Sequence, residues 1–388
     1  MISVAVVLLL LVSGSAIAAR SSLLRTLNIP GSFVAGAAGS LLLLALGHWQ
    51  LPRFTVSEEL RDVLLVLFFI SAGLGTTLTS WFSAGKPLLV LSLLCLLLMI
   101  CQNLIGMGVA SVLGAPKELG VIAGSVAFAG GLGSAVAWGS EFAAKGVANA
   151  TEVGVIAATV GMTVGTFVGG PYVAWVIKSR KIAVPRGGEA ARTEAPAAVV
   201  PLVERQLFVV FLLFALAGVA GDWLRDVLRV YGVITPRFLT AMLAGIIISI
   251  AADLTHLRLP RDLIERCGDI CLSLFIVMAL CGIDLSTLGR IAGPMALVAA
   301  AQTIGIVLFT HFLVFRPMGR NYEAATTAGG FIGFGLSSFA VAMATVKQIE
   351  RNFGPAPQAV LLTTLVGGAV SNVANAIVTM AFFQWLLG

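Results

Sequence analysis

Charge is what this chain has least of. Only 11% of its 388 residues are Asp, Glu, Lys or Arg, against about 25% in soluble domains. With 59% hydrophobic residues and a mean hydropathy of +1.02, a water-soluble globular fold is excluded. Histidine is nearly missing: His48, His256 and His311 are scattered and make no metal-ligand pattern. The five cysteines, Cys95, Cys101, Cys267, Cys271 and Cys281, lie in or beside apolar segments with no CxxC spacing. They read as buried thiols acting as small hydrophobes. No Ser-His-Asp, Cys-His or metal-water set is present, so the chain is not expected to be an enzyme and needs no cofactor. The net charge of +6 is spread over loops without a clustered basic face, which excludes nucleic acid and leaves lipid headgroups and membrane orientation as its roles.

What the chain does have is apolar runs of about 18 residues or more, the length that crosses a bilayer. Ten are expected to span: Ile2–Ala19, Pro30–Gly47, Leu60–Trp81, Pro87–Gly114 and Asn149–Ile177, then Gln206–Trp223, Pro236–Ala252, Ile264–Ile283, Ile291–Phe315 and Pro357–Leu387. Ala16-Ile17-Ala18 resembles a signal-peptide cleavage site, but no positive charge precedes the apolar run, so the first run is expected to stay as a span. Two further apolar segments, 117–143 and 321–345, are each interrupted by glycine: Gly130-Gly131-Leu132-Gly133-Ser134 in one, Gly333-Phe334-Gly335-Leu336-Ser337-Ser338 in the other. They are read as re-entrant hairpins, since irregular backbone at membrane depth is tolerated only inside protein or along a water-filled cavity. The polar stretch 178–205, with Lys178, Arg180, Lys181, Arg186, Arg192, Arg205 and three prolines, reads as a flexible cytoplasmic linker.

These pieces define the expected fold class: an all-α polytopic membrane protein of two inverted five-helix repeats, each with a re-entrant hairpin. Residues 1–177 form the N-terminal repeat and 206–388 the C-terminal one. An odd number of spans per half forces the inversion. On this topology one face collects sixteen of the 24 lysines and arginines, so it is cytoplasmic and both termini lie outside. Leu67-Phe68 recurs as Leu274-Phe275, Pro87 as Pro294 and Gly161 as Gly368, all at one offset.

Paired, glycine-broken segments are the pointer to a transporter binding site near the bilayer midplane. No lysine or arginine sits mid-span, so an anionic solute would be held by backbone N–H groups and helix positive ends. Gly130, Gly131, Gly133, Ser134, Gly333, Gly335, Ser337 and Ser338 are the candidates at the breaks, joined by Thr159, Thr163 and Asn372 from the following spans. Sodium takes carbonyl, hydroxyl and amide oxygens. The candidates for it are Gln102, Asn103, Gln302, Thr364 and Asn375, because burying a carboxamide in lipid without function is costly. The stripe Gly161, Gly165, Gly169 reads as close helix packing.

Three blocks resemble the bacterial glutamate:sodium symporters. The first is Gln102-Asn103-Leu104-Ile105-Gly106-Met107-Gly108. The second runs from Gly130-Gly131-Leu132-Gly133-Ser134 through Ala137-Trp138 and Asn149-Ala150-Thr151-Glu152-Val153 to Gly169-Gly170-Pro171. The third runs from Met318-Gly319-Arg320-Asn321-Tyr322-Glu323-Ala324-Ala325 through Gly333-Phe334-Gly335-Leu336 and Phe353-Gly354-Pro355 to Asn375-Ala376. The resemblance covers nearly the whole chain. It implies a bacterial inner-membrane carrier of L-glutamate coupled to sodium, a homodimer, and elevator-type alternating access. Leu132 and Ser134 stand where the family usually has histidine and threonine. Phe339, Ala340 and Val341 stand for Thr-Pro-Thr, and Asn372 for an aspartate. Another amino acid or a dicarboxylate, and proton coupling with Glu152 as carrier, therefore stay open.

Overall fold

The computed structural model describes residues 2–22, 24, 30–48, 57–76, 85–185, 204–231, 235–281 and 285–387. Among these, all regular structure is helical. The helices are α1 (Ile2–Arg20), α2 (Gly31–His48), α3 (Glu58–Leu74), α4 (Gly85–Val112), α5 (Lys117–Val121), α6 (Gly131–Ala144), α7 (Ala150–Arg180), α8 (Glu204–Val230), α9 (Arg237–Leu254), α10 (Arg261–Cys281), α11 (Leu285–Phe309), α12 (Tyr322–Leu336), α13 (Phe339–Phe353), α14 (Pro357–Thr363) and α15 (Ser371–Leu387). Wide π-type turns extend α5 over Ile122–Val126 and α11 over Thr310–Val314, and join α14 to α15 over Thr364–Val370. Such turns insert one residue into a helix and free backbone groups locally.

Among the described residues, six helical stretches are long and apolar enough to cross a membrane: Gly85–Val112, Ala150–Arg180, Glu204–Val230, Arg237–Leu254, Gly293–Val314 and Pro357–Leu387. The other expected spans are also helical in their described parts. The helix at 58–74 has 17 residues, and the expected Trp81 end lies outside the described residues. Helix α10 has 21 residues but opens on Arg261, Asp262, Glu265, Arg266 and Asp269. The described part of α1 and of α2 holds only shorter apolar stretches, Ala5–Arg20 and Gly31–Leu46. The linker is shorter at both ends than expected, because α7 runs on to Arg180 and α8 starts at Glu204; residues 186–203 lie outside the described residues.

The helices form two compact units that interleave along the chain. One comprises Met1–Arg25, Pro30–Phe82 and Val199–Leu285, and the other Thr26–Ile29, Ser83–Ala198 and Ser286–Gly388. In the first unit α3 packs on α9 and α10, α1 on α2, α2 on α10, and α8 on α9. The carbonyls at the end of α3 have no intrahelical donors. Ser249 Oγ donates to those of Leu74 (3.0 Å) and Thr76 (2.6 Å), and Arg261 Nη1 reaches both at 2.9 Å. Arg261 Nη2 is held by Asp253 at 2.5 Å, so the cation at the polar start of α10 is fully spoken for. A bidentate Arg237–Asp222 pair at 2.9 and 2.8 Å ties α9 to α8.

The second unit repeats one order of elements. A long helix (α4), a broken segment (α5 and α6) and a long helix (α7) are followed by α11, the broken segment of α12 and α13, and the α14–α15 rod. Helices α12 and α13 pack on each other, and α6 packs on α7. The Gly161–Gly165–Gly169 stripe of α7 packs tightly. Gly161 lies against the Leu336 carbonyl, a Cβ at Gly165 would stand 3.1 Å from Leu336 Cβ, and one at Gly169 would stand 2.7 Å from the Thr345 methyl.

Candidate functional site

All sixteen residues singled out in the sequence fall in the second unit. The first broken segment bends twice. The glycine run stops the helix at Ala129–Gly130, and a second bend lies earlier, at Gly124 (φ −101°, ψ −129°). A helix bent there loses backbone partners on either side of the bend, and buried backbone groups need replacements. The Ser125 N–H donates to Asn103 Oδ1 at 2.8 Å, and the Ala123 carbonyl accepts from Gln302 Nε2 at 3.4 Å. The amides expected to be costly in the sequence thus satisfy backbone at the bend.

The two glutamines cross. Gln102, on α4 of the first half, donates through Nε2 to the Gly335 carbonyl in the second break (2.6 Å). Gln302, on α11 of the second half, donates to the Gln102 carbonyl (2.8 Å) and to Ala123 in the first broken segment. Both side chains are fully buried, as is Asn103. Their donors are used, but the Gln102 and Gln302 Oε1 atoms have no partner, nor do Asn103 Nδ2, Ser125 Oγ and Ser337 Oγ. Each buried unpaired polar atom costs about 1–3 kcal/mol, so five of them around the two breaks call for an explanation.

The two glycine motifs meet. Gly131 has φ +69°, a conformation open to glycine and unfavourable for other residues. A Cβ there would stand 3.1 Å from the Ser337 carbonyl oxygen and 3.8 Å from Ser338 Cβ. Gly130 abuts the Asn375 carboxamide nitrogen. Helix α6 begins at Gly131 and α13 at Phe339, and neither has a side-chain cap on its N-terminus. Their first N–H groups are therefore unsatisfied by the helix itself and carry its positive end. Ser134 lies buried in the first turn of α6, and Gly333 sits against Ala342 where α12 and α13 touch.

Other candidates are not drawn in. Thr159 and Thr163 donate to the carbonyls of Val155 (2.7 Å) and Thr159 (3.1 Å) in their own helix. They also lie on the side of α7 away from Gly161 and Gly165. Thr364 is exposed and bonds back to Val360 at 2.8 Å. Asn372 Nδ2 bonds back to Gly368 at 2.8 Å, while Asn375 Oδ1 accepts from Thr379 at 3.4 Å. Ser125 and the Ala123 carbonyl were not foreseen. The one available signal was a lone serine in an apolar run, next to a glycine. Among the described residues, no three His, Cys, Asp or Glu side chains converge as a metal site.

Long apolar helices, with buried carboxamides gathered at two backbone breaks, are those of a multi-pass membrane protein. A family model described as Sodium/glutamate symporter matches residues 1–355, and the chain belongs to that family. The Sodium/glutamate symporter of Escherichia coli (strain K12) is 32% identical over 370 residues, covering 94% of this chain and 92% of that one. The Sodium/glutamate symporter of Haemophilus influenzae is 28% identical over 375 residues, covering 95% and 93%. Among solved structures, the sodium proton antiporter MjNhaP1 from Methanocaldococcus jannaschii aligns over 100% of this chain and 98% of its own, with TM-score 0.41 and 15% identity.

Proposed function

We propose that this protein is a secondary active transporter of the bacterial inner membrane that carries L-glutamate in symport with sodium. The relatives it matches bear that name. The observation that carries the reading is the encounter of two helix N-termini without side-chain caps, α6 and α13, at Gly131 and Ser337–Ser338. Free N–H groups and two positive helix ends suit a carboxylate without a buried cation.

In this reading Gly130, Gly131, Gly133 and Ser134 take one side of the solute, and Gly333, Gly335, Ser337 and Ser338 the other. Thr159, Thr163 and Asn372, bonded to carbonyls of their own helices, are left outside the set in this reading. Sodium is held by the unpartnered oxygens of Gln102 and Gln302, with Asn103 and Asn375 beside them; Ser125 joins the set and Thr364 is its outermost member. Sodium adds positive charge beside the carboxylate and satisfies oxygens that otherwise lack a donor, so each ligand raises the affinity for the other.

The two broken segments act as re-entrant hairpins of an inverted pair of repeats. The unit that holds every candidate residue moves as a body in an elevator-type cycle, the protein works as a homodimer, and both termini face outward. A different carboxylate is the second reading, favoured by Leu132, which is buried and apolar in the first turn of α6.

The test is uptake of radiolabelled glutamate into proteoliposomes with and without an inward sodium gradient. The gradient is expected to drive accumulation. Equal uptake in both would reject sodium coupling, and competition by dicarboxylates with none by glutamate would establish the second reading.

A further inference from the structure

A second cluster lies at the end of α7, apart from the breaks. Tyr172 OH and His311 Nδ1 are 3.3 Å apart, and the Trp175 ring centroid is 5.5 Å from the imidazole. His311 sits on the wide turn Thr310–Val314 that extends α11, and Phe312 and Phe315 pack around it at 5.1 and 6.4 Å. Arg316 places its guanidinium 5.0 Å above the Phe312 ring. Arg180 ends α7 beyond Trp175, and Arg316 follows the wide turn that carries His311. These contacts bring the ends of two membrane-length helices together.

The chemistry there is one-sided. Lys178, Arg180, Lys181, Arg316 and Arg320 are all exposed, and no acidic residue lies in 153–185 or 285–322. Among the described residues neither Arg180 nor Arg316 is ion-paired with a carboxylate. The nearest acid along the chain, Glu323, is committed to the Ala359 N–H at 2.8 Å. Beside the cations stand three large apolar side chains that the protein leaves uncovered: Trp175 (55% exposed), Phe312 (49%) and Leu313 (42%). Trp175 lies about 7.5 Å along the axis from Arg180, the depth at which an indole occupies the headgroup boundary.

We propose that this basic and aromatic cluster is a binding site for an anionic phospholipid, with the headgroup phosphate on Arg180 and Arg316 and the acyl chains along Trp175, Phe312 and Leu313. Guanidinium is the side chain suited to a phosphate fork. A free phosphate would need only the arginines, and the exposed apolar side chains next to them fix the occupant as a lipid.

Native mass spectrometry of the purified full chain, exchanged with phosphatidylglycerol or phosphatidylcholine, tests this. Wild type is expected to retain phosphatidylglycerol in preference, and each arginine supplies about a fivefold part of that preference. Arg180→Gln/Arg316→Gln should abolish it, while Lys86→Gln/Arg258→Gln should leave it intact. Melting temperatures report whether the variants fold, and Arg180→Gln or Trp175→Ala alone replaces the pair if it does not. Excess inorganic phosphate should not displace the lipid. Absence of a preference in wild type, an undiminished preference in the folded arginine variants, or displacement by phosphate alone would overturn the proposal. None of these outcomes bears on glutamate uptake.

Discussion

At the scale of single residues, the crossed glutamines carry the account. Gln302→Ala would remove the amide's bonds to the Gln102 and Ala123 carbonyls, a cost of about 1–3 kcal/mol. It is expected to lower the thermal melting point and to weaken sodium activation of uptake together, read by a melt and a sodium titration of uptake. Ser337→Ala differs, because the Ser337 hydroxyl has no protein partner to lose. Without ligand, stability should rise by up to about 1–3 kcal/mol as an unpaired buried hydroxyl is removed, while glutamate or sodium affinity falls about fivefold. Unchanged affinities for both would remove Ser337 from the site. Gln102, Asn103 and Gln302 were legible in the sequence because an amide in a lipid-length apolar run demands a partner. The Ala123 carbonyl was not, since a backbone acceptor has no side-chain signature. Thr159 and Thr163 misled because helical spacing fixes a face, whereas the direction of a hydroxyl is set by its bond to the preceding turn.

At the scale of elements, the broken segments are where the fold is most exacting. Gly131→Ala would force a Cβ into the left-handed region, at about 1–2 kcal/mol, and place it 3.1 Å from the Ser337 carbonyl. The expected outcome is a folded protein with strongly reduced uptake, checked by size-exclusion profile and transport rate. Wild-type transport would show that the two breaks need not approach so closely. The glycine runs revealed one bend in each segment. The additional bend at Gly124 was hidden, because that residue reads as one more small residue in an apolar stretch, and the side chains that bond the backbone beside it, Asn103 and Gln302, come from distant segments. Most segment ends were legible to within a few residues, but α8 runs on to Val230 instead of Trp223 and α13 to Phe353 instead of Thr345. The polar opening of α10 was not, because Asp262, Glu265 and Asp269 sit at the edge of a run whose C-terminal half is wholly apolar.

At the scale of the molecule, chain halves and packing units do not coincide. Each compact unit draws helices from both halves, so neither half can complete a unit alone. Residues 1–185 or 204–388 expressed singly should fail to accumulate in membranes, and their co-expression should restore both accumulation and uptake, read by immunoblot and transport assay. Stable accumulation of either half alone would argue against the interleaving. This interleaving was not legible beforehand, because hydrophobic runs report which segments are helices and say nothing of which helices share a core. All sixteen candidates are confined to one unit, the arrangement that the proposed elevator-type cycle requires.

The most direct test compares sodium activation of glutamate uptake in wild type, Gln102→Ala and Gln302→Ala, each reconstituted in proteoliposomes after its folding has been verified. The crossed arrangement predicts that either truncation strips most of the response to sodium. Full activation by sodium in both variants would contradict it.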